Sequence, residues 1–339
     1  PEGDPFRAFR GGSYSPNFVG FNRNKRSACV DMGTAAGRET FARMAAEADV
    51  VIENFRPGVM ERMGLSSQTL LQANPRLVYC AIAGFPPGSP QAQSPAFDLI
   101  GQALGGMMHT FLDPESPEVR GPTVADQLAG MYACYGILGA LAARAKTGLG
   151  RRVDVNMVES AISFMPDFHA SYTREGTLMQ STTRASYSHS FAFRCADGEL
   201  VGIQLSSPEK FWLAFIDAIE LPALGTDARF KTRMDRIRNF DELRQELAPR
   251  FLARPLAHWL DVLARADVPH APVRTVAQVH DDPSLAAAGT FHTVRHPEMG
   301  DVSCIARPVL YDHARPMTRH APPMLGEHTD AVLRQFGCE

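Results

Sequence analysis

The sequence predicts an α/β protein with two domains: a large one on an open, Rossmann-like parallel sheet, and a smaller α+β one. Between residues 37 and 88, amphipathic helices alternate with short apolar strands and glycine-bearing turns, the layout of a parallel α/β sheet. Between 121 and 161, a long apolar helix is followed by a strand and a second apolar helix. After Glu175-Gly176 the character changes to a Ser- and Thr-rich polar stretch, a hairpin pattern, and three helices each apolar on one face. The expected divisions are 1–178 for the large domain, 179–189 for a linker, 190–290 for the small domain and 291–339 for a returning linker and C-terminal segment.

Taken in order, Pro1 to Arg7 reads as a loop, and Phe21 to Ser27 as a basic turn leading into a short strand, Ala28 to Met32. Gly37 to Ala48 is an amphipathic helix, with Phe41, Met44 and Ala45 opposite Glu39, Arg43 and Glu47. Val50 to Glu53 is a compact strand. Asn54 to Gly58 then turns into a short helix ending at Met63-Gly64. Ser66 or Ser67 caps the next helix, closed by Asn74-Pro75, and Leu77 to Ile82 is the following strand. Gly84 to Pro90 is too short for a domain linker.

Asp126 stands before a helical run, Gln127 to Ala145, that is apolar on nearly every face. Leu128, Met131, Tyr132, Tyr135, Leu138 and Leu141 recur at three- and four-residue steps, so this helix is expected to be buried almost all round. It closes at Lys146-Thr147-Gly148, a cation and then a glycine, as helix ends prefer. Arg152 to Val155 reads as a strand, and another helix opens near Asn156. Two readings of Asp126 follow from its place alone. It caps the helix, or it is a partly shielded carboxylate aimed at a reacting carbonyl. Further on, Phe191 to Gln204 reads as a hairpin around Asp197-Gly198. Helices follow at Pro208–Ile219, Asp241–Ala253 and Leu256–Ala266, with Trp212 and Trp259 on their core faces. His189, in a Ser-rich loop, reads as exposed.

With 339 residues, 45% of them hydrophobic, the chain can bury one large core or two unequal ones. A net charge of -3 gives no electrostatic case for nucleic acid. The apolar runs are broken before membrane-spanning length, and no signal peptide is visible. Six cysteines without paired spacing suit reduced thiols in a cytoplasmic protein, and nothing suggests a metal site.

Several tokens resemble the family III CoA-transferases, the group that includes formyl-CoA transferase and the carnitine-related CoA-transferases. They are V-A-D-x-x-x-G-M at 124–131, K-T-G-x-G-R at 146–151 and D-V-N-M-V-E-S-A at 154–161. N-K-R-S at 24–27, E-N-F-x-P-G at 53–58 and F-D-x-x-x-Q-A at 97–103 match as well. So do V-P-x-A-P-V at 268–273 and the closing A-P-P-M-L-G-E-H-T at 321–329. The resemblance implies that Asp126 is the nucleophile and that Asp98 supports it. It implies that CoA passes Met32 and Gly33 and is held by Asn54, Phe55, Arg62 and Met63. Acyl-CoA and a small carboxylic acid would be the substrates, with no metal. The family forms homodimers whose chains pass through one another like links, and its closing token returns the chain end to the large domain.

Two departures bear on activity. Members of the family open with a strand and helix before the P-x-G-D-x-x-R segment, and that unit, which supplies active-site and CoA contacts, is not in this sequence. A run of glycines that covers the active site in the transferases is replaced here by Ser186-Tyr187-Ser188-His189-Ser190. Racemases of the same superfamily carry a His before the acidic residue. Phe97 cannot transfer a proton, which favours the transferase over a 2-methylacyl-CoA racemase. A catalytically inactive CoA-binding homologue is the other alternative.

Overall fold

A computed structural model describes residues 3–12, 14–113 and 115–338. Pro1 and Glu2 of the opening stretch lie outside the described residues. The chain divides into two compact units: Pro1–Met108, Gly121–Pro166 and Asp282–Glu339 form the first, and His109–Arg120 with Asp167–Asp281 form the second.

The first unit begins with a short 3-10 turn, Pro5–Ala8, capped by Asp4, and helix α1, Pro16–Phe21. Helix α2, Ala35–Glu47, is capped by Thr34 and leads into strand β1, Val50–Glu53. Helices α3, Val59–Arg62, and α4, Ser67–Ala73, come before strand β2, Val78–Ala83. Helix α5, Asp98–Leu104, and the long α6, Ala125–Thr147, come before strand β3, Arg151–Asn156, and helix α7, Met157–Ser163. The three strands are parallel in the order β1-β2-β3, with Glu53 beside Ala81 and Ala81 beside Asp154. This bears out the expected parallel sheet.

Alternating side chains divide the core between the two faces of the sheet. On one, Val51, Leu77 and Tyr79 pack with Ala45, Met60, Leu65 and Leu70. On the other, Val78 and Cys80 pack with Ala133, Ile137 and Ala140 of α6. Gly150 makes the approach of β3 possible, because a Cβ there would lie 1.8 Å from the Leu77 carbonyl oxygen.

Helix α6 corrects one expectation. Only the side carrying Ala125, Leu128, Ala129, Ala133, Ile137 and Ala140 is buried. Met131, Tyr135 and Leu138 are 69%, 77% and 61% exposed, and Cys134, expected inside, is exposed too. The sheet and α7 cover one side of a cylinder, so packing in this unit leaves the other side of the helix uncovered. By length and composition alone α6 is long and apolar enough to cross a membrane, against the reading that the apolar runs are broken too early.

A second correction concerns residues 28–32, which form no strand. The stretch is instead pinned to the returning chain. Cys29 N–H donates to Thr329 Oγ1 (3.0 Å), His328 N–H to the Ser27 carbonyl (2.8 Å), and Gly326 N–H to Ser27 Oγ (3.0 Å). Asn24 Oδ1 likewise accepts from the Arg319 and His320 amides. Within the stretch itself, the Cys29 amide, which a strand would pair, is taken up by the closing token.

In the second unit, helices α8, Pro166–Glu175, and α9, Thr183–Ser188, occupy much of the stretch 167–189, and α9 lies inside the segment read as a linker. Strands β4, Ser190–Arg194, and β5, Leu200–Gln204, form the expected hairpin, and β6, His270–Pro272, joins β5. Helices α10, Glu209–Ala218, α11, Arg233–Arg238, α12, Phe240–Phe251, and α13, Leu256–Arg265, surround them. Trp212 and Trp259 are buried in its core, as expected, with Phe193 and Phe251 stacked at 4.4 Å. The returning chain, read as a linker and C-terminal segment, also contains a hairpin of β7, Phe291–His296, and β8, Gly300–Ile305, and it ends in a helix, Thr329–Gln335, where one was expected over Asp330 to Phe336.

His189 is not exposed. It takes a left-handed conformation (φ 44°) at the end of α9, and only 2% of it is accessible. Burial first, and then the Arg236 and Arg233 guanidiniums, push its pKa down to about 4. The unfolded chain therefore binds a proton near pH 6.5 that the folded chain refuses until about 4. Stability is full above pH 6.5 and declines as pH falls toward 4. His189→Asn keeps a residue tolerant of positive φ and removes the titrating ring. Urea denaturation of that variant is expected to show a flatter loss of stability between about pH 7 and about pH 4 than the wild type.

Candidate active site

Three parallel strands put the segments that leave them on one edge, where ligands of open α/β sheets bind. Asn54 and Phe55 follow β1 on this edge, and the loop toward α5 follows β2. Asn156 ends β3 and caps α7 by accepting from the Glu159 amide (2.8 Å). At this edge α5, α6 and α7 meet. Ala125, Ala129 and Met157 form a small apolar cluster with Ile82, Ala96 and Val155. Gly101 permits the approach, since a Cβ there would lie 2.8 Å from Met157 Cβ and 2.9 Å from Ala125 Cβ.

Helix α6 starts here without a cap of its own. Val124 is its N-cap and offers no side-chain hydrogen bond. The cap comes from α5. Asp98 Oδ1 accepts from the Val124 amide (2.7 Å) and the Asp126 amide (3.2 Å). Its other oxygen, Oδ2, accepts from Gln102 Nε2 (2.6 Å), and Asp98 is 9% exposed. With donors at both oxygens and no acceptor, this is the environment of a carboxylate. Asp98 therefore caps a helix, but not the one that it begins.

Asp126 is the second residue of α6, inside the helix rather than before it. No donor among the described residues bonds its carboxylate, so the capping role that its position suggested falls to Asp98. Its side chain opens to solvent on one side. Burial on the other side, and then the Asp98 carboxylate, raise its pKa above the ordinary aspartate value. The result is a carboxylate at the positive end of a 23-residue helix, one side free and its backbone held by a fixed neighbour.

Among the described residues, no hydrogen bond joins the other candidate residues to this pair. Asn54 and Phe55 are exposed, and the Phe55 amide is held by Glu53 Oε2 (2.8 Å). Met32 and Met63 are partly buried on the apolar cluster of the opposite sheet face. Gly33 binds Asp31 through its amide (2.9 Å), and its carbonyl accepts from Arg38 Nη1 (2.9 Å). Arg62 is exposed and has no ion pair among the described residues. Phe97, directly before Asp98, is 79% exposed. Gln102 belongs to the F-D-x-x-x-Q-A motif at 97–103. Its spacing of four residues from Asp98 on one helix was the available sign that the two side chains meet. Among the described residues, no group of three His, Cys, Asp or Glu side chains is arranged to hold a metal ion.

The sequence matches the model of CoA-transferase family III over residues 1–329, and the chain belongs to that family. It is 32% identical to an acetyl-CoA:oxalate CoA-transferase of Acetobacter aceti over 96% of this chain and 83% of that one. It is 34% identical to a succinyl-CoA:mesaconate CoA-transferase of Haloarcula marismortui, again over 96% and 83%. The crystal structure of a CaiB/BaiF family protein from Brucella suis superposes with a TM-score of 0.84 at 29% identity, covering 99% of this chain and 90% of that one.

The geometry separates the two aspartates by a stability measurement. Asp98→Ala removes a cap and leaves two amides unpaired, and is expected to cost about 1–2 kcal/mol in urea denaturation. Asp126→Ala removes no hydrogen bond and relieves a like-charge contact, so it should change stability by no more than about 0.5 kcal/mol. Equal losses in the two variants would return the capping role to Asp126.

Proposed function

We propose that this chain moves CoA from an acyl-CoA donor to a small carboxylic acid, with Asp126 as the covalent nucleophile. The observation that carries this reading is the Asp126 carboxylate itself, unbonded on its open side and set at the head of α6 by Asp98. The relatives support it, since their names each pair an acyl-CoA with an acid such as oxalate or mesaconate.

The steps balance without a net proton. An Asp126 oxygen attacks the thioester carbonyl, the acyl–sulfur bond breaks, and a mixed anhydride and CoA thiolate result. The thiolate attacks the Asp126 carbonyl carbon, releasing the donor acid as carboxylate and leaving an aspartyl-CoA thioester. The acceptor carboxylate attacks that thioester, forming a second anhydride and freeing the thiolate. The thiolate then takes the acceptor's acyl group, and Asp126 returns to a carboxylate. Each energy-rich bond is exchanged for another, so water must be kept from both intermediates. Phe97, without an ionisable group, offers no second base for racemisation.

For CoA, the proposal assigns the loop and short helix after β1, with Asn54, Phe55, Arg62 and Met63, and the turn at Met32-Gly33. The exposed Arg62 guanidinium suits a phosphate. A homodimer fits the uncovered apolar stripe of Met131, Tyr135 and Leu138 on α6. All six cysteines are unpaired, which suits a cytoplasmic setting.

The test is mass spectrometry of the protein after brief exposure to a panel of acyl-CoAs, quenched and digested. A CoA-sized adduct on the Asp126 peptide, discharged by hydroxylamine, is expected, and Asp126→Ala should abolish both adduct and transfer. Activity of that variant within about tenfold of wild type, about 1.4 kcal/mol of barrier, would overturn the assignment. Because Asp126 must be ionised to attack and its pKa is raised, kcat/KM should fall with decreasing pH through a midpoint above the ordinary aspartate range. Asp98→Asn, which keeps an oxygen for the α6 amides and removes the like charge, should move that midpoint to lower pH.

A further inference from the structure

Asp98 touches three donors, and the one that it does not owe to α6 is Gln102. Gln102 is 6% exposed, on the same helix and one turn along. Only its amide nitrogen can face an ionised oxygen, so the 2.6 Å contact fixes both which way the amide points and which way the carboxylate is turned. A carboxylate held by Oδ1 alone could swing about its Cβ–Cγ bond. With Oδ2 also held, it has one orientation, and that orientation presents Oδ1 to the Val124 and Asp126 amides.

We propose that Gln102 is a positioning residue for the nucleophile: it locks the Asp98 carboxylate onto the first amides of α6, and thereby fixes Asp126 and prevents the two aspartates from sharing a proton. The proposal rests on the reading of Asp126 as nucleophile. A proton shared between Asp98 and Asp126 would occupy the lone pair that attacks the thioester. With Oδ2 accepting from the Gln102 amide and Oδ1 from two backbone amides, three of the roughly four lone-pair sites of the Asp98 carboxylate are taken by donors. Asp126 alternates beside it between a charged carboxylate and a neutral anhydride or thioester.

The experiment uses the full chain and the acyl-CoA that labels wild-type Asp126 most rapidly, with variants Gln102→Leu and Gln102→Glu. Rapid-quench mass spectrometry reads adduct formation, and steady-state kinetics read kcat and KM. For Gln102→Leu, adduct formation and kcat are expected to fall about 10- to 100-fold, the loss typical of a reacting group displaced slightly. KM for the acyl-CoA should stay within about twofold, because CoA contacts are untouched. Gln102→Glu preserves shape and fold. At low pH its carboxyl group can donate the missing hydrogen bond to Asp98, and as pH rises the two become like charges. Its activity relative to wild type should therefore fall with rising pH. A flat ratio in Gln102→Glu, or wild-type kcat in Gln102→Leu, overturns the proposal while Asp126 keeps its role. Absence of any adduct in the wild type overturns the nucleophile reading, and this proposal with it.

Discussion

A carboxylate from one helix closing the start of another is the constraint on which this site depends. Helix α6 is long and apolar, and its sequence brings no Ser, Thr, Asp or Asn to the N-cap position, where Val124 stands. Asp98 supplies the missing acceptor across the junction of α5 and α6. The junction is possible only because Gly101 lets α5 press against Ala125 and Met157. Helix packing, capping and placement of Asp126 are thus one arrangement. A change in any of the three is felt in the others.

The same arrangement has an electrostatic side. Two carboxylates close together normally settle their repulsion by taking up a proton between them. Here one accepts from three donors and the other from none among the described residues, so their environments differ rather than match. On the proposed mechanism, the repulsion is present when Asp126 is free and absent when it is acylated. The ground state is raised relative to the covalent intermediates, which brings the stages of the exchange closer in energy.

Much of this could be read from residue order. The three strands, the parallel sheet, the end of α6 at Gly148 and the two core tryptophans follow from periodicity and punctuation, which are local signals. What escaped depends on partners remote in sequence. Residues 28–32 have the composition of a strand, yet the Cys29 amide bonds to Thr329, 300 residues away. Asp126 looked like a cap because nothing local shows that Asp98, 28 residues earlier, already fills that place. His189 looked exposed among serines, but a left-handed turn directs it inward among arginines. The motif around Asp98 is local, while the bonds that Asp98 makes to α6 depend on amides 26 and 28 residues later.

The tie between Ser27-Cys29 and His328-Thr329 bears on how the molecule is made. A ribosome releases the first of these segments long before it builds the second, so the first unit must wait for nearly the whole chain before that seam can close. Most of the second unit, running without interruption from Asp167 to Asp281, is under no such delay. During synthesis the later-coded unit can therefore mature before this seam closes, although all three strands of the parallel sheet have been made by then. The entropy of closing a loop this long grows only with the logarithm of its length, so the delay is a matter of timing more than of final stability. Premature termination near Thr329 would remove the seam while sparing every residue of the α5–α6 junction.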